Sequence, residues 1–503
     1  MARAVVLLLV LALGAHAARA DEPTATTRPR KPDPCTDREH TCRPHFWRAA
    51  LEEAAALAGG TIWYWVDRDR QVADWDYPSW KDRLTFQAWR YDNNGFDINF
   101  FWHPINGASF HLLARANDFG LYGSMAFGVT TSMLWEYGLE FREKISINDV
   151  LVTPGAGVSI GEPLHWMGRY LASAPVERRW WQTALGWVLD APMSLHDRID
   201  GRSRALTDSA PDELGLSSDF THRFRIGMST SRADVEASGD DQQMWPARLE
   251  LSGEIAALPG YLQPGRLRTS FTQGNVSSLE LSTAVAGGEP SVELRADTVL
   301  AGWVAQDRPR AGSGYAVVAG AAVAYHYQRE DYGPWHDRMA LLHFPGPLVD
   351  AHLWLGPALL RARVRGGADF AGIYAATHPA WKAANPDARE KTILAKHGYY
   401  YGWGGSVDGQ LELELPRVSA GGRITAGAWE SDEGLDRSQE KVTDDVESND
   451  RELSWKAWLR VAPLDDALYL ELRAAGARRY SELGGLRETR RWHELGLGVG
   501  ATF

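Results

Sequence analysis

The chain has 503 residues and a formal net charge of −12, which argues against a general nucleic-acid partner because nucleic-acid-binding surfaces are basic. Its mean hydropathy of −0.33 is far too polar for a bundle of membrane-spanning helices. A transmembrane β-barrel is compatible with that value, since half of each strand faces a polar lumen. The 22 Trp and 17 Tyr residues fit the aromatic girdles of a barrel, although soluble carbohydrate binders also use Trp.

Residues 1–20 are predicted to be a secretory signal peptide. Arg3 gives a basic start, an apolar run follows over residues 5–13, and Ala18-Arg19-Ala20 forms a small-x-small cleavage site. The apolar run is too short to span a bilayer as a helix. We therefore expect export, with cleavage after Ala20.

Residues 21–44 contain an excess of Thr, Pro and Arg and are predicted to form a flexible periplasmic arm. This arm holds both cysteines of the chain, Cys35 and Cys42. An even number of cysteines in an exported protein favours a disulfide, whose stabilisation would be modest because the loop it closes is short. Two free or metal-binding thiols are the alternative.

A helical domain is predicted over residues 45–205. Pro104 suits a first helical turn, and Ser146 suits a helix N-cap. The segment 119–139 has a single charge, Glu136, and is diluted by Gly, Ser and Thr, so we expect it to pack against other helices rather than to anchor in a membrane. The predicted helices cover residues 46–58 (ending at Gly59-Gly60), 104–117, 121–144, 147–173 (interrupted near Pro154) and 179–188.

The densest group of polar residues lies inside this helical region. Glu136, Glu140 and Glu143 have the spacing i, i+4 and i+7, which places three carboxylates on one helical stripe. One interpretation is a catalytic pocket between helices, with His103 as the base; the other, which we favour, is a network that fixes helix packing. The catalytic candidates are His103, Glu140 and Asp149, and the candidates for a structural polar network are Arg115, Glu136, Glu143 and Glu162.

No metalloprotease, P-loop, dinucleotide, nucleophile-elbow or zinc-type cysteine motif is present, so the sequence names neither a cofactor nor a metal site. An ordered set of residues does resemble a known family, the bacterial domain of unknown function 3943, over about residues 80–175. No activity follows from this resemblance. The residues that carry it are Trp89 to Asn94, Asn99 to Gly107, Trp135-Glu136-Tyr137, Glu140, Ser146 to Asp149, Gly155, Gly157 and Gly161-Glu162.

From about residue 218 to the end, apolar and polar residues alternate with the two-residue period of strands. Leu453, Trp455 and Leu459, for example, alternate with Ser454 and Arg460. Short connections and long polar ones (231–243, 377–395 and 431–450) separate the runs, as in barrels with tight periplasmic turns and long outer loops. An even number of strands is typical, and we expect about twelve.

The last eleven residues, 493–503, give the clearest strand pattern. Leu495, Leu497 and Val499 lie on one face, with Ala501 and Phe503, and the other face carries Glu494, three glycines and Thr502. A strand with one apolar face and one small or polar face suits an outer-membrane barrel. The terminal Phe503 resembles the closing signal that the barrel-insertion machinery of Gram-negative bacteria recognises.

The sequence thus predicts an α+β chain: a helical domain followed by an antiparallel transmembrane β-barrel over residues 218–503. We expect it in the cell outer membrane, with a periplasmic N-terminal region and with outer-membrane lipid and the barrel-assembly machinery as partners. The helical domain would plug the barrel or cap it from the periplasmic side, in a role in envelope structure or transport. The alternatives are an enzyme that modifies lipid or glycan at His103, Glu140 and Asp149, and a secreted β-protein that binds carbohydrate.

Overall fold

The computed structural model describes residues 31–32, 43–66, 76–237, 240–286, 288–332, 335–386, 392–432, 434–435, 446–463 and 467–503. The predicted signal peptide and the predicted Cys35–Cys42 disulfide lie outside these residues. Of the predicted arm, only 31–32 and 43–44 are described.

Twelve antiparallel strands form a closed barrel, which confirms the predicted fold class and strand number. Each strand pairs with its neighbours in chain order, and the pairing of the last strand with the first closes the ring. The strands are β1 (Thr221–Ala237), β2 (Ala247–Ala256), β3 (Val276–Val285), β4 (Ser291–Arg310), β5 (Ser313–Tyr332), β6 (Trp335–Leu355), β7 (Ala358–Tyr374), β8 (Tyr399–Leu415), β9 (Val418–Ser431), β10 (Ser448–Val461), β11 (Leu468–Leu483) and β12 (Leu486–Thr502).

The two ends of the barrel differ in their connections. The terminus end, where β1 begins and β12 ends, has tight turns at 311–312, 356–357 and 416–417. The terminus end also has one long connection, 257–275, which folds inward. The loop end has the long connections 375–398 and 432–447 and a tight turn at 484–485. The stretch 231–243, predicted to be a connection, is mostly strand instead, because β1 continues to Ala237 and pairs with a short strand, Asp240–Met244.

The alternating pattern separates the two faces of the wall. On β12, Leu495, Leu497 and Val499 are 60%, 66% and 56% exposed, whereas the neighbouring Glu494 is buried in the lumen. The outward face is therefore apolar and the inward face charged, which is the arrangement that a lipid exterior requires.

Segments of the barrel chain pack into the lumen at both ends. At the terminus end the connection between β2 and β3 folds inward, so that Leu258 and Tyr261 pack against inward residues such as Val304 and Leu348. At the loop end two short helices between β7 and β8, unforeseen from the sequence, place Trp381 against a second apolar cluster. These helices span His378–Ala384 and Ile393–His397.

The helical region agrees with most of the predicted boundaries. Three predictions were wrong: the first helix continues through Gly59-Gly60, the long helix passes Pro154 without interruption, and the helix predicted to reach residue 144 is α-helical only to Leu134 and ends in a π-helical turn at Leu139. The helices are α1 (Phe46–Val66), α2 (Trp80–Leu84), α3 (His103–Ala116), α4 (Leu121–Leu134), α5 (Ile147–Ala172), α6 (Trp180–Leu189) and α7 (Ala191–Asp200), and π-helical turns cover Ile98–Trp102 and Trp135–Leu139. In the described part of the chain, none of the helices combines the length and apolarity needed to cross a membrane.

Helix α5 lies against the outside of the barrel, and the other helices of the group α1–α7, called the helical layer below, pack with it. Gly155 near the start of α5 faces Leu342, an outward residue of β6, and Met167 near its end faces Gly253 of β2. The expectation that this domain plugs the lumen or caps the barrel is therefore wrong. The outward apolar side chains of several strands supply the surface on which α5 buries its own apolar side chains.

Candidate functional site

Aromatic residues attach the helical layer to the wall near the loop end. Tyr91 stacks on Tyr401 of β8 with ring centroids 4.6 Å apart. The Tyr325 hydroxyl of β5 donates a hydrogen bond to the Phe100 carbonyl. Phe100 also occupies the space above Gly372 of β7, where an added Cβ would lie 2.1 Å from its ring. Only glycine fits there, so the wall is shaped for this ring.

Beside these rings lies a polar group, the His103 cluster, made of His103, Asp149, Thr153, Asn148 and Asp92. The imidazole Nδ1 of His103 is 3.6 Å from Asp149 Oδ1 and 3.4 Å from Thr153 Oγ1. Asn148 Nδ2 donates to Asp149 Oδ1 at 2.6 Å, and its own Oδ1 accepts the backbone N–H of Asp92 at 2.9 Å. Hydrogen bonds within the cluster therefore fix Asn148, Asp149 and Asp92 relative to one another.

Helix starts place His103 and Asp149, two of the three ionisable residues of this cluster. The side chain of Ser146 caps α5 by accepting the Asp149 N–H at 3.3 Å, as the sequence predicts for an N-cap. Pro104 stands in the first turn of α3. Because α3 and α5 begin at the same end of the layer, His103 and Asp149 come together.

Burial disfavours a positive charge on the His103 imidazole of this cluster. Burial lowers the pKa of the His103 imidazole from its ordinary value, although Asp92 opposes that shift. The side chain keeps 20% of its surface exposed, and that of Asp149 keeps 6%. A neutral imidazole with one open edge beside a carboxylate can act as a base.

The third catalytic candidate, Glu140, belongs to a different local structure. Its carbonyl accepts a hydrogen bond from Arg83 at 3.4 Å, and Arg83 also bonds the carbonyls of Glu136 and Glu143 at 3.2 and 2.5 Å. The carboxylate of Glu136 accepts the N–H of Ser146 at 2.7 Å. The π-helical turn Trp135–Leu139 breaks the expected stripe, because its spacing differs from the α-helical period.

A second polar group, the wall cluster, lies farther along α5 and consists of Glu162, His111, Arg115 and Trp166. The fully buried Glu162 carboxylate is 2.7 Å from His111 Nε2 and 3.0 Å from an Arg115 guanidinium nitrogen. The Trp166 indole N–H donates to it at 2.9 Å. Arg115 and Glu162, two members of the predicted network, therefore meet, whereas Glu136 and Glu143 lie at the other end of the layer.

The wall cluster covers an irregular point of the barrel. Gly274, with φ +77°, lies between β3 and a short strand, Thr269–Thr272, and an added Cβ there would be 2.7 Å from Glu162 Oε1. On the adjacent β4 the pairing register shifts between Val299 and Ala301. The Tyr122 hydroxyl of α4 donates to the Leu300 carbonyl at 2.9 Å. The helical layer thus satisfies polar groups where the wall is irregular.

Inside the barrel, paired charges form a third polar group, the lumen network. Glu412 of β8 is its hub: Arg223, Arg225 and Arg460 approach its carboxylate to 3.1, 3.2 and 3.2 Å. Between the charged side chains remains a cavity of about 140 Å³. No group of three or more His, Cys, Asp or Glu side chains suited to a metal ion occurs in the described residues.

The backbone of Phe503 completes the seam of the barrel. Its N–H donates to the Phe224 carbonyl at 2.9 Å, and its carbonyl accepts the Phe224 N–H at 3.0 Å. The pairing of β12 with β1 is thereby extended by one residue at the terminus end.

Residues 88–193 match a family model described as "Domain of unknown function (DUF3943)". This confirms the resemblance predicted from the sequence. The matched range contains the His103 cluster and the wall cluster, and it ends before the barrel begins. No curated protein matches the chain.

Solved structures that resemble the chain are barrels. Neisserial surface protein A is 10% identical, with a TM-score of 0.17, and the alignment covers 56% of this chain and 97% of that protein. The translocator domain of the autotransporter NalP from Neisseria meningitidis is 13% identical (TM-score 0.20; 56% and 88% covered). A Pseudomonas aeruginosa FadL homologue is 10% identical (TM-score 0.21; 56% and 90% covered). The barrel assignment itself depends on the closed ring of strands in this chain.

Proposed function

We propose that this protein is a non-conducting β-barrel of the outer membrane with a role in envelope structure, in which the barrel holds the helical layer at the membrane. The observation that carries the proposal is the filled lumen. An apolar inward fold occupies the terminus end, two short helices pack into the loop end, and paired charges occupy the middle.

The lumen network opposes conduction because its charges already have partners. Glu250 pairs with Lys456 at 2.8 Å and with Arg473, while Glu494 pairs with Arg248 at 3.0 Å. A permeating ion would have to compete with these contacts in a cavity of about 140 Å³. The closed ring and apolar exterior also speak against a secreted carbohydrate-binding protein.

The proposed environment follows from the two ends. Tight turns are typical of the periplasmic side of such barrels and long loops of the outer side. On this basis the terminus end faces the periplasm, and so does the arm of residues 21–44. The outward apolar faces of the strands contact outer-membrane lipid, and the barrel-assembly machinery inserts the chain.

Planar-bilayer recording of the full mature protein tests this function. We expect no steady conductance from the wild type. A variant in which residues 377–397 are replaced by a short turn should also stay closed, because the lumen network remains. A steady, ohmic current through the wild type would contradict the proposal and favour a transport role.

A further inference from the structure

The helical layer has a second face, turned away from the barrel, and that face is apolar. On α1 no charged residue occurs from residue 54 to residue 66, and Leu51, Ile62 and Val66 are 70%, 66% and 69% exposed. Helix α4 carries no charge at all, and Val129 and Leu134 are 45% and 53% exposed. In a water-facing helix these positions would normally be polar.

The two helices stand side by side over the wall. Phe46 at the start of α1 packs edge-on against Phe127 of α4, and Tyr64 near its end packs against Trp135. Hydrogen bonding of Tyr122 to Leu300 fastens α4 to the middle of β4. The exposed apolar face of α1 and α4, called the outer helix face, therefore lies level with the wall.

Charged residues of the same helices are turned inward or gathered at the ends. Glu53 is 4% exposed and accepts a hydrogen bond from Thr131 of α4 at 3.3 Å. At the terminus end Arg48 pairs with Asp200 at 2.8 Å. The outer helix face thus resembles the outward face of the barrel strands, with polar groups hidden from its surroundings.

Exposed aromatic residues border this apolar face at both ends. Trp47 at the terminus end is 78% exposed, and Trp80 and Trp102 at the opposite end are 60% and 56% exposed. Helix α1, which separates them, has 21 residues and is therefore about 30 Å long. That length matches the hydrocarbon thickness of about 30 Å, and Trp concentrates at its two boundaries.

We infer that the outer helix face contacts the acyl chains of outer-membrane lipid, so that one bilayer surrounds barrel and helical layer together. A bilayer that contacts the outward faces of β9–β12 must continue around the whole barrel at the same height. Where helices cover the wall, their far surface takes the lipid contact. This inference depends on the barrel lying in a membrane, but not on its being closed to ions.

Spin labels on single cysteines test the inference in vesicles of phosphatidylcholine and phosphatidylglycerol. Cys35 and Cys42 are first replaced by Ser, and labels are placed by Ala55→Cys on α1 and Val129→Cys on α4. Leu497→Cys on β12 provides the lipid-facing control, and Glu177→Cys, in the exposed connection between α5 and α6, provides the water-facing control. Heat-modifiable migration checks that each variant is folded.

We expect labels at positions 55 and 129 to collide far more often with oxygen than with a water-soluble nickel complex, as at position 497. Nickel collisions as frequent as at position 177 would overturn the inference by showing a face in water. Low collision rates with both reagents would also overturn it, by showing that a second copy or another protein covers the face. Failure of the control at position 497 would instead contradict the membrane barrel itself.

Discussion

At the scale of single residues, Glu412 illustrates how a charged lumen can be stable. Its side chain is 1% exposed, and the guanidinium groups of Arg223, Arg225 and Arg460 lie within 3.2 Å of its carboxylate and offset the cost of its desolvation. The next inward residue of the strand, Glu414, is 27% exposed and pairs with Arg223. The two glutamates therefore differ in burial and in number of partners, but not in chemistry.

Replacing each glutamate by alanine should distinguish the buried Glu412, which has several partners, from the more exposed Glu414. Glu412→Ala leaves three arginines without their shared partner, and we expect the barrel to lose about 3–5 kcal/mol of stability. Glu414→Ala removes a more exposed pair and should cost about 0–1 kcal/mol. Urea unfolding in detergent, followed by Trp fluorescence, measures both. Equal losses would show that the hub is not a special position.

The catalytic role of His103, Glu140 and Asp149 stays a prediction. If the cluster is structural, His103→Ala should lower the melting temperature of the helical layer, and Glu140→Gln should change it little because the carbonyl contact to Arg83 is kept. If the cluster is catalytic, both variants should fold normally and abolish a lipid or glycan change seen with the wild type. Melting curves and envelope lipid profiles of the same variants distinguish the two roles.

At the scale of elements, the crossing of α3 and α5 organises the helical layer. Gly107 of α3 lies so close to α5 that an added Cβ would be 1.8 Å from the Thr153 carbonyl oxygen, and Gly157 faces Gly107 in turn. Small residues permit this approach of two backbones. Helix α1 offers a contrast, since an added Cβ at Gly59 has nothing within 4 Å.

The same substitution at the two glycines should have opposite effects. Gly107→Ala forces α3 and α5 apart and should destabilise the layer by about 1–3 kcal/mol. Gly59→Ala, in the same type of helix but in open space, should stabilise it by about 0.5–1 kcal/mol. Limited proteolysis measures the stability of the helical layer, and heat-modifiable migration shows whether the barrel is folded. A Gly107→Ala protein as resistant as the wild type would contradict the close crossing.

The helix boundaries were predictable to the extent that local signals set them. The Ser146 cap and Pro104 correctly predict two helix starts, whereas Gly59-Gly60 wrongly predicts a helix end because glycine is unfavourable in helices. Packing against α4 overrides that preference. The role of the buried Arg83 could not be predicted. Its neighbours in sequence do not distinguish an arginine that donates hydrogen bonds to several backbone carbonyls from an arginine that faces water.

At the scale of the whole molecule, the seam between β12 and β1 decides whether the barrel is closed. Phe503 contributes two backbone hydrogen bonds to that seam. We expect Phe503→Asp to prevent assembly and leave degraded protein in the periplasm, since the new charge lies beside the lipid-facing edge of the seam. Phe503→Leu, which keeps an apolar side chain, should assemble. The test is to measure heat-modifiable protein in outer-membrane fractions of both variants. Normal assembly of Phe503→Asp would contradict the prediction.

The barrel could be predicted from the two-residue period, because each strand must place apolar residues toward lipid whatever its neighbours are. The position of the helical layer could not. An apolar helix that packs on an outer wall and one that fills a lumen have the same periodicity, and the partners Tyr325, Gly372 and Tyr401 lie more than 200 residues away along the chain. Only the folded barrel brings them together.

The lumen network has a consequence for the order of folding events. Several of its ion pairs join strands that are distant in sequence: Arg223 is separated from Glu412 by 189 residues, Lys456 from Glu250 by 206, and Arg248 from Glu494 by 246. Such contacts cannot form in a partial sheet, and closing loops of this size is slow. Neutralisation of the lumen therefore comes late, when the ring closes. Until then an open sheet would expose arginines and glutamates whose partners lie on distant strands. A curled but unclosed intermediate therefore gains little stability, and assembly is close to all-or-none.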